Sequence, residues 1–438
     1  MKKINLWIKV KKWFKKHSFI NDIFVPIYRN LKHLNRKMYF KIKEPFLPSD
    51  QPNPDKIYWI APKTIRFHTN YKPNKFSNFE DRVFNMKKYK GAVIGGNWDS
   101  TNYNFEDLPI YKALKSRIFN NVDWCNTAYY QNLLKDIKQG YSRYSCTNES
   151  ELVNRFEKLD VLIKNIKKEG YKSSKEIHAP KNKNSFIADE ITVNIGRNGE
   201  YLFQNGRHRL SIALLLGIKK IPVQVLVRHK NWIQLRKSFV SIIEKRSNKL
   251  YQPAFHPDLI DIPASHDCVD RFNEIKKIIM LQEGTLLDIG TNLGHFCYKC
   301  EEEGFQCTGI EKLLPIYSIA EKMKKSVHKK YKLVAGDILN PHIQKQIGST
   351  FDVVLFLNIL HHFLKEEKTY HQMTQWLKSL KTQVIFFEPH LISEEQMQNA
   401  YINYNTADFL EYIMKNTGKT KHTPIYKAPD GRTVFMLT

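Results

Sequence analysis

The chain has 438 residues, 42% of them hydrophobic, which is enough for two or three domains with sizeable cores and excludes global disorder. No run of 18 apolar residues occurs, so no membrane-spanning helix is expected. The net charge of +27 attracts polyanions such as nucleic acid, acidic lipid headgroups, acidic glycans or nucleotides. The high Lys, Asn and Ile content also fits a genome-wide lysine bias, so charge alone selects none of them.

In chain order, residues 1–57 are expected to be a basic amphipathic segment and linker. The start, MKKINLWIKVKKWFKKHSF, is too basic and too broken for a signal peptide. Ile4, Trp7, Ile8, Trp13 and Phe14 share one broad side of a helix. Such a helix can lie on an anionic membrane surface, or it can pack on the protein's own body, and the sequence favours neither. The Pro-rich stretch EPFLPSDQPNPDK (44–56) reads as the linker.

A smaller α+β domain is expected over 58–230. Helices are predicted over 105–118, 126–139 and 148–169, the last opening on Asn148 with Glu151 three residues on. Strands follow at ITVNI (191–195), EYLFQ (200–204) and IPVQVLVRH (221–229), with Arg197-Asn198-Gly199 as a hairpin turn. Between the last two strands stands NGRHRLSIALLLG (205–217), in which Leu210, Ala213, Leu214 and Gly217 fall at helical spacing. That helix begins with Arg207, His208 and Arg209. A helix N-terminus carries partial positive charge and free N–H groups, so three basic residues there call for an anion. A helix over 231–250 and a polar, Pro-containing stretch make 231–266 a helical linker.

From 267 to 438 strands and helices alternate. GTLLDIG (284–290), FQCTGIE (305–311), YKLVAGD (331–337), FDVVLFLN (351–358) and TQVIFFE (382–388) are buried strands. Helices are predicted at 294–303, 314–328, 366–379 and 405–415, and APDGRTVFMLT closes the chain with an antiparallel edge. This is an α/β pattern, a parallel sheet with helices on both faces.

Ligands of such sheets bind at the carboxyl ends of the strands. Asp288-Ile-Gly290-Thr-Asn292-Leu-Gly294 follows the first strand, and its glycines let the backbone turn close to a ligand. Glu311 ends the second strand, 23 residues on, and suits a ribose diol. Asp337 and Ile338 follow the third and can grip an adenine edge; Asn358 ends the fourth. Asp288 would repel a pyrophosphate and attract a cationic sulfonium or amino-acid ligand, which favours S-adenosylmethionine over NAD. The set LLDIGTNLG, GIE, GDI and FDVVLFLNILHHF resembles the class I S-adenosylmethionine-dependent methyltransferases, over roughly 267–438. The resemblance implies a Rossmann-like fold, S-adenosyl-L-methionine as cofactor, and Asp288, Gly290, Asn292, Gly294, Glu311, Asp337, Ile338 and Asn358 around it. Asn292 stands where the family often has glycine, and Asn tolerates left-handed geometry. His361, His362 and Glu388 lie where family members place substrate-side residues, with His390 on the same rim. Either histidine can act as general base for a hydroxyl acceptor, or be a loop histidine without chemistry. No NPPY-type signature for amino methylation follows the fourth strand, so an O-linked acceptor is the first choice.

The segment YLFQNGRHRLSIALLLGIKKIPVQVLV resembles the ParB/sulfiredoxin-like fold, in which this turn and helix start hold nucleotide phosphates. The resemblance implies Gly206, Arg207, His208 and Arg209 as a phosphate cradle, with a nucleoside triphosphate as candidate ligand. Arg207 stands where sulfiredoxins carry a reactive Cys, which argues against sulfinic-acid repair. No helix-turn-helix follows, which argues against chromosome partitioning. For a kinase activity Asp189, Glu190 and Glu200 are base candidates, although surface acids of a hairpin is the simpler reading. GGNWD (95–99), Arg117 and Trp124 form a lid or acceptor pocket, or more simply a packed core.

No metal site is expected. Cys297 and Cys300 form CYKC without a second pair, inside a predicted helix, and scattered thiols suit a reducing cytosol. The leading reading is a cytoplasmic methyltransferase acting on a small molecule, glycan or lipid-linked saccharide, at the inner face of the membrane if the N-terminal helix docks there. The pairing of a kinase-like part with a methyltransferase resembles bacterial O-antigen chain-terminating enzymes in logic, not in sequence. The alternatives are a nucleic-acid-binding methyltransferase, or one regulated by a nucleotide-sensing module.

Overall fold

A computed structural model describes residues 55–69, 90–100, 103–173, 176, 190–243, 249–266, 268–279 and 283–438. The amphipathic stretch over residues 1–20 and Asp189 lie outside them. The chain divides into two compact units, one ending at Ile233 and the other beginning at Gln234. Among the described residues no helix is long and apolar enough to cross a membrane.

In the N-terminal unit the strands are β1 (Ile57–Ile60), β2 (Phe67–His68), β3 (Val93–Ile94), β4 (Ile191–Ile195), β5 (Tyr201–Asn205) and β6 (Ile221–His229). The helices are α1 (Pro109–Asn120), α2 (Ala128–Lys138), α3 (Glu149–Glu169) and α4 (Arg207–Leu215), while α5 (Lys230–Ser238) crosses the unit boundary. The sheet order is β1-β6-β4-β5-β2, with β3 also on β6. The Asn198-Gly199 turn forms as expected, because Gly199 takes φ 88° and its N–H reaches the Gly196 carbonyl. β4 then pairs antiparallel with β5 and parallel with β6, so the strands of the hairpin and the IPV strand are buried together. Asn148 caps α3 by accepting from the Glu151 N–H, 2.9 Å away. The expected helix over 231–250 is shorter, ending at Ser238 and continuing as a 3₁₀ turn through Ile242.

The C-terminal unit opens with α6 (Cys268–Ile279), which the sequence pattern did not mark. The order then is β7 (Thr285–Ile289), α7 (His295–Glu302), β8 (Gln306–Glu311), α8 (Leu314–Ser326), β9 (Lys332–Ala335), α9 (Pro341–Ile347) and β10 (Thr350–Leu357). It ends with α10 (Glu367–Ser379), β11 (Lys381–Glu388), α11 (Thr406–Thr417), β12 (His422–Lys427) and β13 (Thr433–Leu437). The sheet order is β12-β13-β11-β10-β7-β8-β9; β7 to β11 are parallel and β13 is antiparallel to β11. Strand side chains alternate between faces. Leu287, Val354, Phe356 and Phe387 pack with Met373 and Trp376 of α10 and Phe409 of α11. Their neighbours Leu286, Val353, Leu355 and Phe386 pack with Phe272 of α6, Phe296 of α7 and Ala320 of α8. Burial on both faces is why these strands read as continuous apolar runs. The order reverses between β7 and β10, and a crevice opens at the carboxyl ends there.

Candidate active site

β7 delivers Asp288 to the crevice, where it is 3% exposed. Its Oδ2 accepts from the Thr291 hydroxyl at 2.6 Å. Burial pushes the carboxyl up to about 7, with the Thr291 hydrogen bond opposing and the Glu311 charge adding to the rise. Glu311, at the end of β8, is raised by burial against the pull of backbone N–H groups. Its Oε2 accepts from Asn292 N at 3.0 Å and its Oε1 from Leu313 N at 2.8 Å, which fixes the carboxylate. Asn292 adopts φ 54°, the left-handed geometry expected of it. After β9, Asp337 accepts from Leu339 N at 2.9 Å and pairs with Lys312 at 2.8 Å, beside buried Ile338.

Asn358 follows β10 with φ 52°, the left-handed geometry that Asn tolerates. Its N–H donates to the Glu388 carbonyl at 3.1 Å and its Nδ2 to the Tyr251 hydroxyl at 2.9 Å. Its Oδ1 is buried without a hydrogen-bond partner. Glu388, at the end of β11, has Oε1 2.8 Å from Arg271 of α6 and no hydrogen bond at Oε2. Burial raises its pKa, with Arg271 opposing. His361 is 2% exposed, and neither ring nitrogen has a partner. Burial, reinforced by His362 with its ring centre 4.1 Å away, drives it down to about 3.

One cavity of about 740 Å³ collects these groups: Asp288, Gly290 and Asn292; Glu311; Asp337 and Ile338; Asn358; His361, His362 and Glu388. Gly294 is not among its lining residues. It caps α7 with φ 84°, and a Cβ there would meet the Tyr331 hydroxyl at 2.8 Å. Gly290 lines the cavity; it takes φ 68°, and a Cβ there would strike Ile359 at 2.5 Å, so backbone and packing both favour glycine. The sequence reading missed Tyr251, Gln252 and His266, which it placed in a linker, and Arg271 on the unmarked helix α6; all four line the cavity. An aromatic residue and an amide in an irregular stretch carry no periodic signal that would have found them.

In the N-terminal unit, Gly206 takes φ 95° and begins α4 without a side-chain cap. A second cavity has Gly206, His208 and Arg209 in its wall. Arg207 does not line it; its guanidinium lies 5.6 Å from the centre of the Tyr144 ring, which does. His208 is pushed down to about 3 by burial and by Arg155, Arg207 and Arg209. Of the candidate acids, Glu190 stands 4.0 Å from Arg209, while Glu200 accepts from Asn198 N at 3.0 Å and holds the hairpin turn. The GGNWD loop is no lid: Arg197 binds Asp99 at 2.7 Å and the Gly96 carbonyl at 2.9 Å. Trp98 and Trp124 are buried, and Arg117 and Trp124 share Asp160.

Residues 264–420 match the family model of a methyltransferase domain, so the C-terminal unit carries such a domain. No curated protein matches the chain. Among solved structures, one of the bifunctional kinase-methyltransferase WbdD aligns over 46% of this chain at 16% identity and a TM-score of 0.38. The chain spans about half the length, 46%, of that structure. PH0226 from Pyrococcus horikoshii aligns over 40% of this chain and 92% of its own, at 16% identity and a TM-score of 0.30. The methyltransferase domain of bacterial CtHen1 aligns over 38% and 97%, at 12% identity and a TM-score of 0.30.

Proposed function

We propose that the protein transfers a methyl group from S-adenosylmethionine to a hydroxyl of a small molecule, glycan or lipid-linked saccharide. One observation carries this reading: in a methyltransferase domain, acids from the ends of three adjacent strands, Asp288, Glu311 and Asp337, line a single cavity. The residues present fit that cofactor. Glu311 presents a fixed carboxylate to a ribose diol, and the orphaned Asn358 Oδ1 is an acceptor awaiting a donor. Asp288 offers negative charge to a cationic group, Arg271, already paired with Glu388, offers its unbonded Nε–H to a carboxylate, and Ile338 offers an apolar face to adenine.

The cofactor supplies an electrophilic methyl group, and what remains for the chain is alignment and removal of one proton. Of the three candidate catalytic residues, Glu388 is the proposed base: its Oε2 has no hydrogen bond and burial raises its carboxyl above the usual range, while burial drives the His361 ring down to about 3. Glu388 Oε2 takes the hydroxyl proton. The neutral His361 ring accepts a hydrogen bond that orients the acceptor, and His362 packs against it. Titration calorimetry with S-adenosylhomocysteine tests the assignment: binding is expected, and Glu311→Ala and Asp288→Ala should abolish it. Undiminished affinity in both variants would refute the cofactor.

For the N-terminal unit we propose a ParB/sulfiredoxin-like phosphate site that holds a nucleotide. The support is the uncapped first turn of α4 opening on a cavity with Arg209 in its wall. Glu151, the acid in that wall, already accepts from the Thr147 N–H and hydroxyl. The unit is therefore proposed to bind or sense its ligand rather than to transfer a phosphoryl group.

A further inference from the structure

Two residues behind Asp288 have no part in the reaction proposed above: Thr291, in the middle of GTNLG, and Cys297, the first thiol of CYKC. Both are fully buried. Thr291 is anchored through its backbone, its N–H on the Ile310 carbonyl and its carbonyl on the Gly294 N–H, each at 2.9 Å. A threonine hydroxyl has one proton, and at 2.6 Å it is given to Asp288 Oδ2. The Cys297 thiol of α7 stands 3.9 Å from that oxygen and 3.7 Å from the Thr291 hydroxyl. Burial pushes the thiol up, so it keeps its proton and remains a weak donor.

The space for this pair is kept open by Gly309. It lies in β8 beside Asp288, and its backbone is not in the left-handed region, so conformation does not call for glycine. A Cβ there would come within 2.9 Å of the Thr291 hydroxyl and 3.0 Å of the Cys297 sulfur, and the pair would have to shift. Asp288 is left with two unlike oxygens. Oδ2 is held from behind by Thr291 and Cys297. Oδ1 accepts no hydrogen bond from the described residues, and Asp288 lines the cavity of the C-terminal unit.

We propose that Thr291, backed by Cys297, is a positioning residue for the methyl donor: it holds Asp288 by Oδ2 and leaves Oδ1 to the donor's cationic group. The inference rests on the cofactor reading above and adds the device that presents the charge. That device also favours the carboxylate form, because a hydrogen bond to the charged group opposes the burial that pushes Asp288 up to about 7. Among the charged groups of the same cavity, Glu311 of β8 adds to the rise, Arg271 of α6 is paired with Glu388, and Lys312 is paired with Asp337. The neighbouring strand β10 places Leu355 beside it. Without the Thr291 hydroxyl, Asp288 keeps its proton to higher pH.

Calorimetry of S-adenosylmethionine on the full chain tests it. Each variant's affinity is taken as a ratio to the unaltered protein at the same pH, so that the donor's own ionisation cancels. Thr291→Val keeps the shape and removes the hydroxyl. It should bind about tenfold weaker at about pH 6 and within about threefold at about pH 9, where the carboxyl ionises without help. Thr291→Ser should restore affinity to within about threefold at both. Gly309→Ala keeps both donors but displaces them, and it should show the same pH-dependent loss. Melting curves of the unliganded variants establish that they fold. A Thr291→Val loss that is equal at both pH values gives Thr291 a packing role only and overturns the inference. So does the absence of any loss, or a Thr291→Ser variant as weak as the valine. In those cases the unaltered protein still binds and the cofactor reading stands; failure of the unaltered protein to bind overturns both.

Discussion

Both units contain a strand, a glycine turn and a helix, yet the two turns face opposite charges. After β5 the turn is Gly206, φ 95°, and the helix opens with Arg207, His208 and Arg209. After β7 the turn holds Gly290, φ 68°, and Gly294, φ 84°, and acids surround it: Asp288 before it, with the Asn292 N–H bound to Glu311. Similar backbone geometry therefore does not select a ligand. The side chains do: guanidinium groups around one turn leave an excess of positive charge, and carboxylates around the other an excess of negative charge.

The comparison can be broken most directly at the proposed base. Glu388→Gln removes the proton acceptor but keeps the shape. Methyl transfer should fall by about 10²–10⁴ while S-adenosylhomocysteine affinity stays within a few-fold; equal loss of both would reduce Glu388 to a structural partner of Arg271. A smaller effect is expected at Glu311. Glu311→Gln should weaken cofactor binding by roughly 10–100-fold, since it removes a charged hydrogen-bond acceptor, with calorimetry as the measure. The opposite turn offers the control. Arg207→Ala with Arg209→Ala should remove ADP-induced thermal stabilisation and leave S-adenosylhomocysteine affinity unchanged. Parallel failure of the two sites would end the idea of two modules with separate ligands.

A pH titration sharpens the contrast further. Asp288 is raised to about 7 by burial, so near neutral pH it is partly protonated. A cationic donor binds the ionised form. S-adenosylmethionine binding should therefore release a proton, and its affinity should fall up to about tenfold per unit as pH drops below 7. The same burial costs stability: the folded carboxyl holds its proton more tightly than the unfolded one, so this group's contribution is lost as pH rises from 3.8 toward 7. Proton uptake instead of release, in calorimetry across buffers of different ionisation enthalpy, would remove Asp288 from the donor site. The smallest effect is expected from Tyr251→Phe, which deletes the acceptor for Asn358 Nδ2. A loss of about 3–10-fold in cofactor affinity corresponds to one neutral hydrogen bond.

Much of the C-terminal unit was legible because its signals are local. A strand buried on both faces must be a continuous apolar run, as LLDI and VVLFL are, and the acids at the ends of such runs stand at the sheet's rim by chain order alone. The hairpin turn at Asn198-Gly199 and the cap at Asn148 were legible for the same reason. The strands β2 and β3, two residues each, were not, since so short a stretch has no period to read. Nor did spacing reveal which glycine of GTNLG lines the cavity: Gly290 does, while Gly294 lies against Tyr331.

The sequence by itself determined the strand–helix rhythm, the strand-end acids and the cationic helix start, because each depends on neighbours within a few residues. Only the tertiary structure decided which side chains meet. It brought Tyr251 and Arg271 to the crevice, set Arg155 on the Tyr144 ring, drove the pKa of His208 and His361 down, and tied Glu200 into a turn. Burial and proximity between distant residues are properties of the packed chain, and they set charge state and therefore chemistry.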